Sequence, residues 1–123
     1  MIKLVFCLRR RSELSPEEFR RYWLAEHAEL VKRHSPALRV RRYVQSHTVA
    51  DPRVAASLAV RGSDVAPYDG VAELWWDSVE DLVEAGATKE GRAAGRALLE
   101  DERHFIDLAG SPIFYSEEHV IIG

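Results

Sequence analysis

Residues 15–36, SPEEFRRYWLAEHAELVKRHSP, constrain the fold more than any other stretch, because both ends of one amphipathic helix are written into them. Ser15 can cap the helix, Pro16 suits its first position, and Glu18 sits where the carboxylate of a capping box belongs. Pro36 argues against continuation past Ser35, since the residue before a proline is pushed out of the helical region. On a wheel of about 100° per residue with Phe19 at zero, Leu30 falls at about 20°, Trp23 at about 40° and Val31 at about 120°. His34 at about 60° and His27 at about 80° lie inside that stripe. Arg21, Ala28 and Lys32 lie opposite. The helix therefore turns two imidazoles toward whatever it packs on.

What it packs on is a sheet. Ile2, Leu4, Phe6 and Leu8 alternate with Lys3, Val5, Cys7 and Arg9, and the second face is half apolar too. A strand apolar on both sides is covered on both sides. A second strand is expected over about Leu38 to His47, with Tyr43, Gln45 and His47 in a hydrogen-bonding row on one face. VAELWW, Val71 to Trp76, is a third strand, whose adjacent Trp75 and Trp76 point to opposite faces. Ser78 and Asp81 resemble a capping box for a helix to about Ala85. A further helix starts near Thr88 and runs past Leu99 toward Ile106, with Gly91 and Gly95 allowing close packing. A last strand covers Ile113 to Tyr115, with a continuation from His119 to Ile122. Residues 48–67 form an excursion, a short helix capped by Asp51 with Pro52 first, ending near Gly62. Such a segment serves as a lid or a dimer contact.

The order β-α-β-β-α-β in a single domain over 1–123 is the α+β, ferredoxin-like arrangement with a four-stranded antiparallel sheet. Two helices cover one sheet face. The other is expected to carry Val5, Cys7, Tyr43, Gln45 and one tryptophan, and to be covered by a second copy in a homodimer through the sheet faces.

The totals narrow the function classes. The 123 residues carry a net charge of −3, so no basic stripe argues for nucleic acid. The apolar run before Arg9 is too short to span a membrane. One cysteine, Cys7, excludes a disulfide framework and a multi-cysteine metal site, and with no signal segment a cytoplasmic location is expected. There is no H-x-x-x-H, glycine-rich phosphate loop or serine nucleophile elbow. His27 and His34 lie about 10 Å apart along the helix, too far to share an ion. No cofactor is expected, although the residues leave ligation of haem by a single histidine open.

Four stretches, RYWLAEHAELV (21–31), RRYVQSH (41–47), YDGVAELWWDSVEDL (68–82) and SPIFYSEEHVII (111–122), together resemble the EthD-like family, named for ethyl tert-butyl ether degradation. That family belongs to the dimeric α/β-barrel superfamily. The resemblance implies the ferredoxin-like protomer, the sheet-to-sheet dimer forming an α/β barrel, and a cavity. For activity it implies only an oxidoreductase connection. Superfamily relatives include cofactor-free monooxygenases, polyketide cyclases and isomerases. The positions matching its motifs are Tyr22, Trp23, His27, Tyr43, His47, Glu117, Glu118 and His119.

Among these, His27 is the leading candidate. It lies one turn after Trp23, desolvation would keep it neutral, and a neutral imidazole in an apolar setting is a general base. The competing role is a core histidine bonded to a carbonyl or to a carboxylate such as Glu118. His34 sits near the helix end, where it favours the negative pole of the dipole. Tyr43 and His47 are expected to assist His27, and Tyr22, Trp23, Gln45, Trp75, Trp76 and His119 to bind substrate. The expected activity is that of a small cofactor-independent enzyme acting on a hydrophobic, aromatic or cyclic small molecule by proton transfer or oxygenation. The alternative is a non-catalytic protein that binds such a metabolite for a partner enzyme.

Overall fold

The computed structural model describes residues 1–123. Its strands are β1 (Ile2–Leu8), β2 (Arg42–His47), β3 (Gly70–Trp76) and β4 (Ile113–Glu117). They form one antiparallel sheet in the order β2-β3-β1-β4. Helices α1 (Pro16–Tyr22), α2 (Ala28–Leu38), α4 (Val79–Ala87) and α5 (Lys89–Glu102) accompany it, and α3 (Pro52–Ala59) occupies the excursion. This is the α+β, ferredoxin-like arrangement. No helix is long and apolar enough to cross a membrane.

The long helix departs from expectation in two ways. Both halves of the Ser15 capping box form, but between α1 and α2 the chain makes a π turn, Trp23–His27, in which the Ala28 N–H bonds the Trp23 carbonyl. One wide turn takes up an extra residue and sets the following residues back by about 100° on the wheel. That moves Val31 to about 20° and His27 to about −20°. Accordingly Phe19, Trp23, His27 and Val31, four apart in sequence, are the buried row, whereas Leu30 is only partly buried.

The helix also continues through Pro36 to Leu38. It ends in a Schellman motif, with Val40 N–H bonding the Ser35 carbonyl and Arg39 N–H that of Pro36. Arg39 takes the left-handed position at φ 59°, a place usually held by glycine. Its guanidinium reaches Glu84 at 2.8 Å and Asp81 at 3.1 Å. Leu38 and Val40 thus belong to the helix end and its exit, and β2 begins only at Arg42.

The sheet register corrects the face assignment. Tyr43 pairs with Leu74 and Gln45 with Ala72, while Phe6 pairs with Ala72 and Leu4 with Leu74. Paired residues share a face. Tyr43, Gln45 and His47 therefore lie under the helices with Phe6 and Leu8, not on the uncovered face. That other face carries Lys3, Val5, Cys7, Arg42, Val44, Glu73, Trp75 and Phe114. Trp75 is buried there by its own neighbours: Arg42 and Lys3 lie over its ring, 4.7 and 5.3 Å from the centroid, and its indole N–H bonds Glu118.

Gly91 lies so close to Ala85 that an added Cβ would sit 1.8 Å from that residue's carbonyl oxygen. Gly95 has open space around it, so only the first of the two glycines permits close packing. α4 continues through Gly86 to Ala87, past the end near Ala85 that the sequence led us to expect. Residues 119–122 form no strand.

Candidate active site

The core between helices and sheet is aromatic. Phe105, just past α5, lies 5.7 Å from Phe19, 5.0 Å from Tyr22 and 4.9 Å from His27, centroid to centroid. Beside it is a cavity of about 40 Å³ lined by apolar side chains together with His27, Tyr43 and Glu102. These three are the groups able to exchange protons within an otherwise apolar wall.

His27 is fixed by Asp101 of α5, whose Oδ2 lies 2.7 Å from the ring Nδ1. A carboxylate accepts, so Nδ1 carries the hydrogen and Nε2 keeps the lone pair of the neutral ring. Nε2 has no protein partner. Burial pushes the His27 pKa below the usual histidine value, and the bond to Asp101 pulls the other way without overcoming it. Asp101 is held in turn by the Tyr22 hydroxyl on Oδ1, with the exposed His104 ring 3.7 Å from the same oxygen. Burial, and then the bond to Asp101, lifts the Tyr22 phenol to about 12, so it remains a donor.

Glu102 follows Asp101 in sequence but faces the cavity without a hydrogen-bond partner. Burial, with the charge of Asp101 second, raises its carboxyl to about 7. Near neutral pH the cavity therefore contains an unprotonated imidazole nitrogen and a carboxyl group that holds its proton more readily than an ordinary glutamic acid.

Tyr43 is connected to the long helix through Gln45. The Gln45 side-chain amide donates to the Trp23 carbonyl at 2.8 Å and to the Tyr43 oxygen at 2.7 Å. The Trp23 carbonyl is the one that opens the π turn, so Gln45 ties β2 to the place where the helix widens. His47 Nε2 meets the Gln45 carbonyl oxygen at 2.8 Å, and its ring stacks on Trp23 with centroids 4.4 Å apart. Burial, and then the charge of Arg20, keeps the His47 pKa low.

Of the residues singled out in the sequence, His27, Tyr43 and Trp23 line one cavity, and Gln45 and His47 stand behind Tyr43. Tyr22 lies on the far side of Asp101. Trp75 is on the opposite sheet face, and Trp76 bonds the Leu38 carbonyl away from the cavity. Glu117 and His119 are exposed in and after β4, and Glu118 serves Trp75 rather than His27. The expected carboxylate partner of His27 is thus Asp101, which sequence reasoning missed along with Glu102. A signal was present: Gly91, Ala94, Leu98 and Phe105 mark a buried helical stripe, and acids at 101 and 102 fall within it. No group of three or more His, Cys, Asp or Glu side chains converges as a metal site.

The EthD domain family model matches residues 11–109. Among solved structures, an ethyl tert-butyl ether degradation (EthD) family protein from Bacillus halodurans C-125 is similar with a TM-score of 0.62. It is 24% identical, over 97% of this chain and 99% of that one. An EthD-like protein from Ralstonia eutropha JMP134 has a TM-score of 0.61 at 17% identity, over 98% and 95% of the two chains. A dimeric ferredoxin-like protein of unknown function from Thermobifida fusca YX has a TM-score of 0.54 at 13% identity, over 94% and 88%. No curated protein matches.

Proposed function

The chain belongs to the EthD family, and from that premise we propose that it is a cofactor-independent enzyme moving a proton on a hydrophobic small molecule, with His27 as general base. The observation that carries this reading is the Asp101–His27 pair at the wall of an apolar cavity. Asp101 sets the tautomer, Tyr22 holds Asp101, and burial keeps the imidazole neutral and ready to accept. The resulting carbanion is reprotonated at another atom, or transfers electrons directly to dioxygen where the substrate is an electron-rich aromatic anion.

The cavity of about 40 Å³ is far smaller than the roughly 300–1,000 Å³ of small-molecule pockets, so its wall must open on binding. We infer further that the working unit is a homodimer joined through the uncovered sheet face.

A panel of hydrophobic ketones, lactones and phenols, screened by thermal shift and then by proton exchange in D₂O and oxygen uptake, tests the function. His27→Gln should lower turnover of any converted compound by roughly 10²-fold or more. Unchanged turnover in that variant would overturn the assignment of the base. Compounds that bind and are never converted would instead make the chain a binding protein.

A further inference from the structure

The hydrogen bonds behind the cavity have a fixed direction. The Trp23 carbonyl can only accept, so the Gln45 atom 2.8 Å from it is the amide nitrogen, and its carbonyl oxygen faces His47. His47 Nε2 must then donate. The Gln45 N–H also donates to the Tyr43 oxygen, which therefore acts as an acceptor from the protein. The tyrosine's own hydrogen is committed to no protein atom, and Tyr43 lines the cavity. His47, Gln45 and Tyr43 thus form a relay of donors ending in an O–H available to a ligand.

The Glu102 carboxyl, with no acceptor of its own, is a second donor on the same cavity. Half-buried at the apolar wall of the cavity, it takes up its proton more readily than an ordinary glutamic acid. One lone-pair nitrogen and two O–H donors then share one small enclosure. An arrangement of a base with preorganised donors stabilises a substrate whose proton leaves carbon while negative charge gathers on oxygen. An ether or a hydrocarbon has no oxygen that acquires such charge.

Resting on the general-base reading of His27, we propose that the substrate is an enolisable carbonyl compound, its oxygen held by Tyr43 Oη–H and Glu102. His27 Nε2 takes the α-hydrogen as the C–H bond breaks and the electron pair moves through the new C=C bond onto oxygen. The enolate oxygen accepts from Tyr43 and Glu102. Return of a proton, or in D₂O of a deuteron, from His27 to carbon completes exchange with no net redox change.

Two probes separate the donors from the base. Phenylacetone has a carbonyl oxygen to stabilise, whereas benzylmalononitrile is a carbon acid without one. Deuterium incorporation into each is followed by NMR for the wild type, Tyr43→Phe and His27→Gln. Tyr43→Phe leaves the Gln45–Trp23 bond in place, and near-UV circular dichroism checks that the aromatic core is intact. Exchange of the ketone should fall about 10²-fold in Tyr43→Phe through kcat with KM little changed. Exchange of the dinitrile should fall far less than that of the ketone. His27→Gln should abolish both. Ketone exchange that survives Tyr43→Phe, or wild-type exchange of the dinitrile alone, overturns the carbonyl assignment while leaving the base. Exchange of neither probe by the wild type overturns the base reading, and this proposal with it.

Discussion

Two adjacent residues, Asp101 and Glu102, give the cavity its opposing ionisations, and each can be tested separately. Asp101 raises the pKa of His27 through its hydrogen bond and charge, and that of Glu102 through its charge. Asp101→Asn should therefore lower both values, and NMR titration of the His27 ring and the Glu102 carboxyl measures them. A rise in either would contradict the assigned couplings. Glu102 has a further consequence for stability. Its folded pKa of about 7 is above the ordinary 4.5, so the folded state binds the proton more tightly. The associated stability is fully present below pH 4.5 and is lost as pH rises through about 7. The full shift corresponds to about 3 kcal/mol, which residual solvent contact reduces to about 2 kcal/mol. Glu102→Gln should accordingly unfold at higher denaturant than the wild type at pH 8 and lose that advantage at pH 4.5, as measured by urea titration at both pH values. In the catalytic reading the two groups also bound the pH profile. The acid limb follows His27, below its usual value, and the alkaline limb near 7 follows Glu102. Only the alkaline limb should disappear in Glu102→Gln. His27 was legible from its place beside Trp23 on an amphipathic helix. Asp101 and Glu102 were not, because an acid in a charged helix such as KEGRAAGRALLEDE resembles a solvated residue until the packing of Phe105 and Leu98 is known.

At the level of elements, the junctions carry the specificity. Gly91 and Gly95 occupy the same helix, yet their surroundings predict opposite effects. Alanine at 91 would drive its Cβ into the Ala85 carbonyl, a backbone atom that cannot rotate aside. Gly91→Ala should cost about 2–3 kcal/mol and loosen the α4–α5 corner. Gly95→Ala meets nothing within 4 Å and should stabilise by about 0.5–1 kcal/mol, because alanine restricts the unfolded chain. Thermal unfolding of the two variants checks the contrast, and similar shifts in both would refute it. The sequence of strands and helices along the chain, and the helix starts, were legible because alternation and caps are local. Ser15, Ser78, Thr88 and Asp51 each bond the expected N-terminal amide. The π turn was not legible, since a wheel of constant pitch cannot register one extra residue. Its effect was to exchange Leu30 for Val31 in the core and to bring His27 deeper than its nominal angle. The end of the long helix was misplaced for a related reason. Arg39 performs a turn usually assigned to glycine, with Asp81 and Glu84 supplying partners from another helix. The polar row Tyr43-Gln45-His47 was placed on the wrong sheet face because hydrogen-bonding side chains look solvent-facing. Gln45 points inward because the Trp23 carbonyl at the π turn, the Tyr43 hydroxyl and the His47 ring all bond its amide there.

For the whole molecule, the exposed area argues that one protomer is incomplete. Its accessible surface is 8365 Å², whereas a compact monomer of 14.0 kDa should expose about 6,700 Å². Exposed apolar side chains contribute to the excess on the excursion, on the open sheet face and after β4. Phe114 on the open sheet face is half exposed, and Val120, Ile121 and Ile122 after β4 are almost wholly so. An interface of standard size removes about 800 Å² from each partner, so sheet-to-sheet pairing can account for a large part of the excess. Lys3 and Glu73 on that face already pair with each other at 2.7 Å, so they present no uncompensated charge to a second copy. The protein should therefore sediment at twice the mass of the protomer at micromolar concentration. Phe114 tests the surface involved, because in the isolated protomer it has little packing to lose. Phe114→Glu places a carboxylate where the second sheet would bury it, a change worth several kcal/mol against association and therefore at least about 10²-fold in the dimer constant. Analytical ultracentrifugation should find this variant at protomer mass with an unchanged far-UV spectrum. A wild type that remains at 14.0 kDa, or a Phe114→Glu protein that still pairs, would show that the uncovered sheet is not the dimer face.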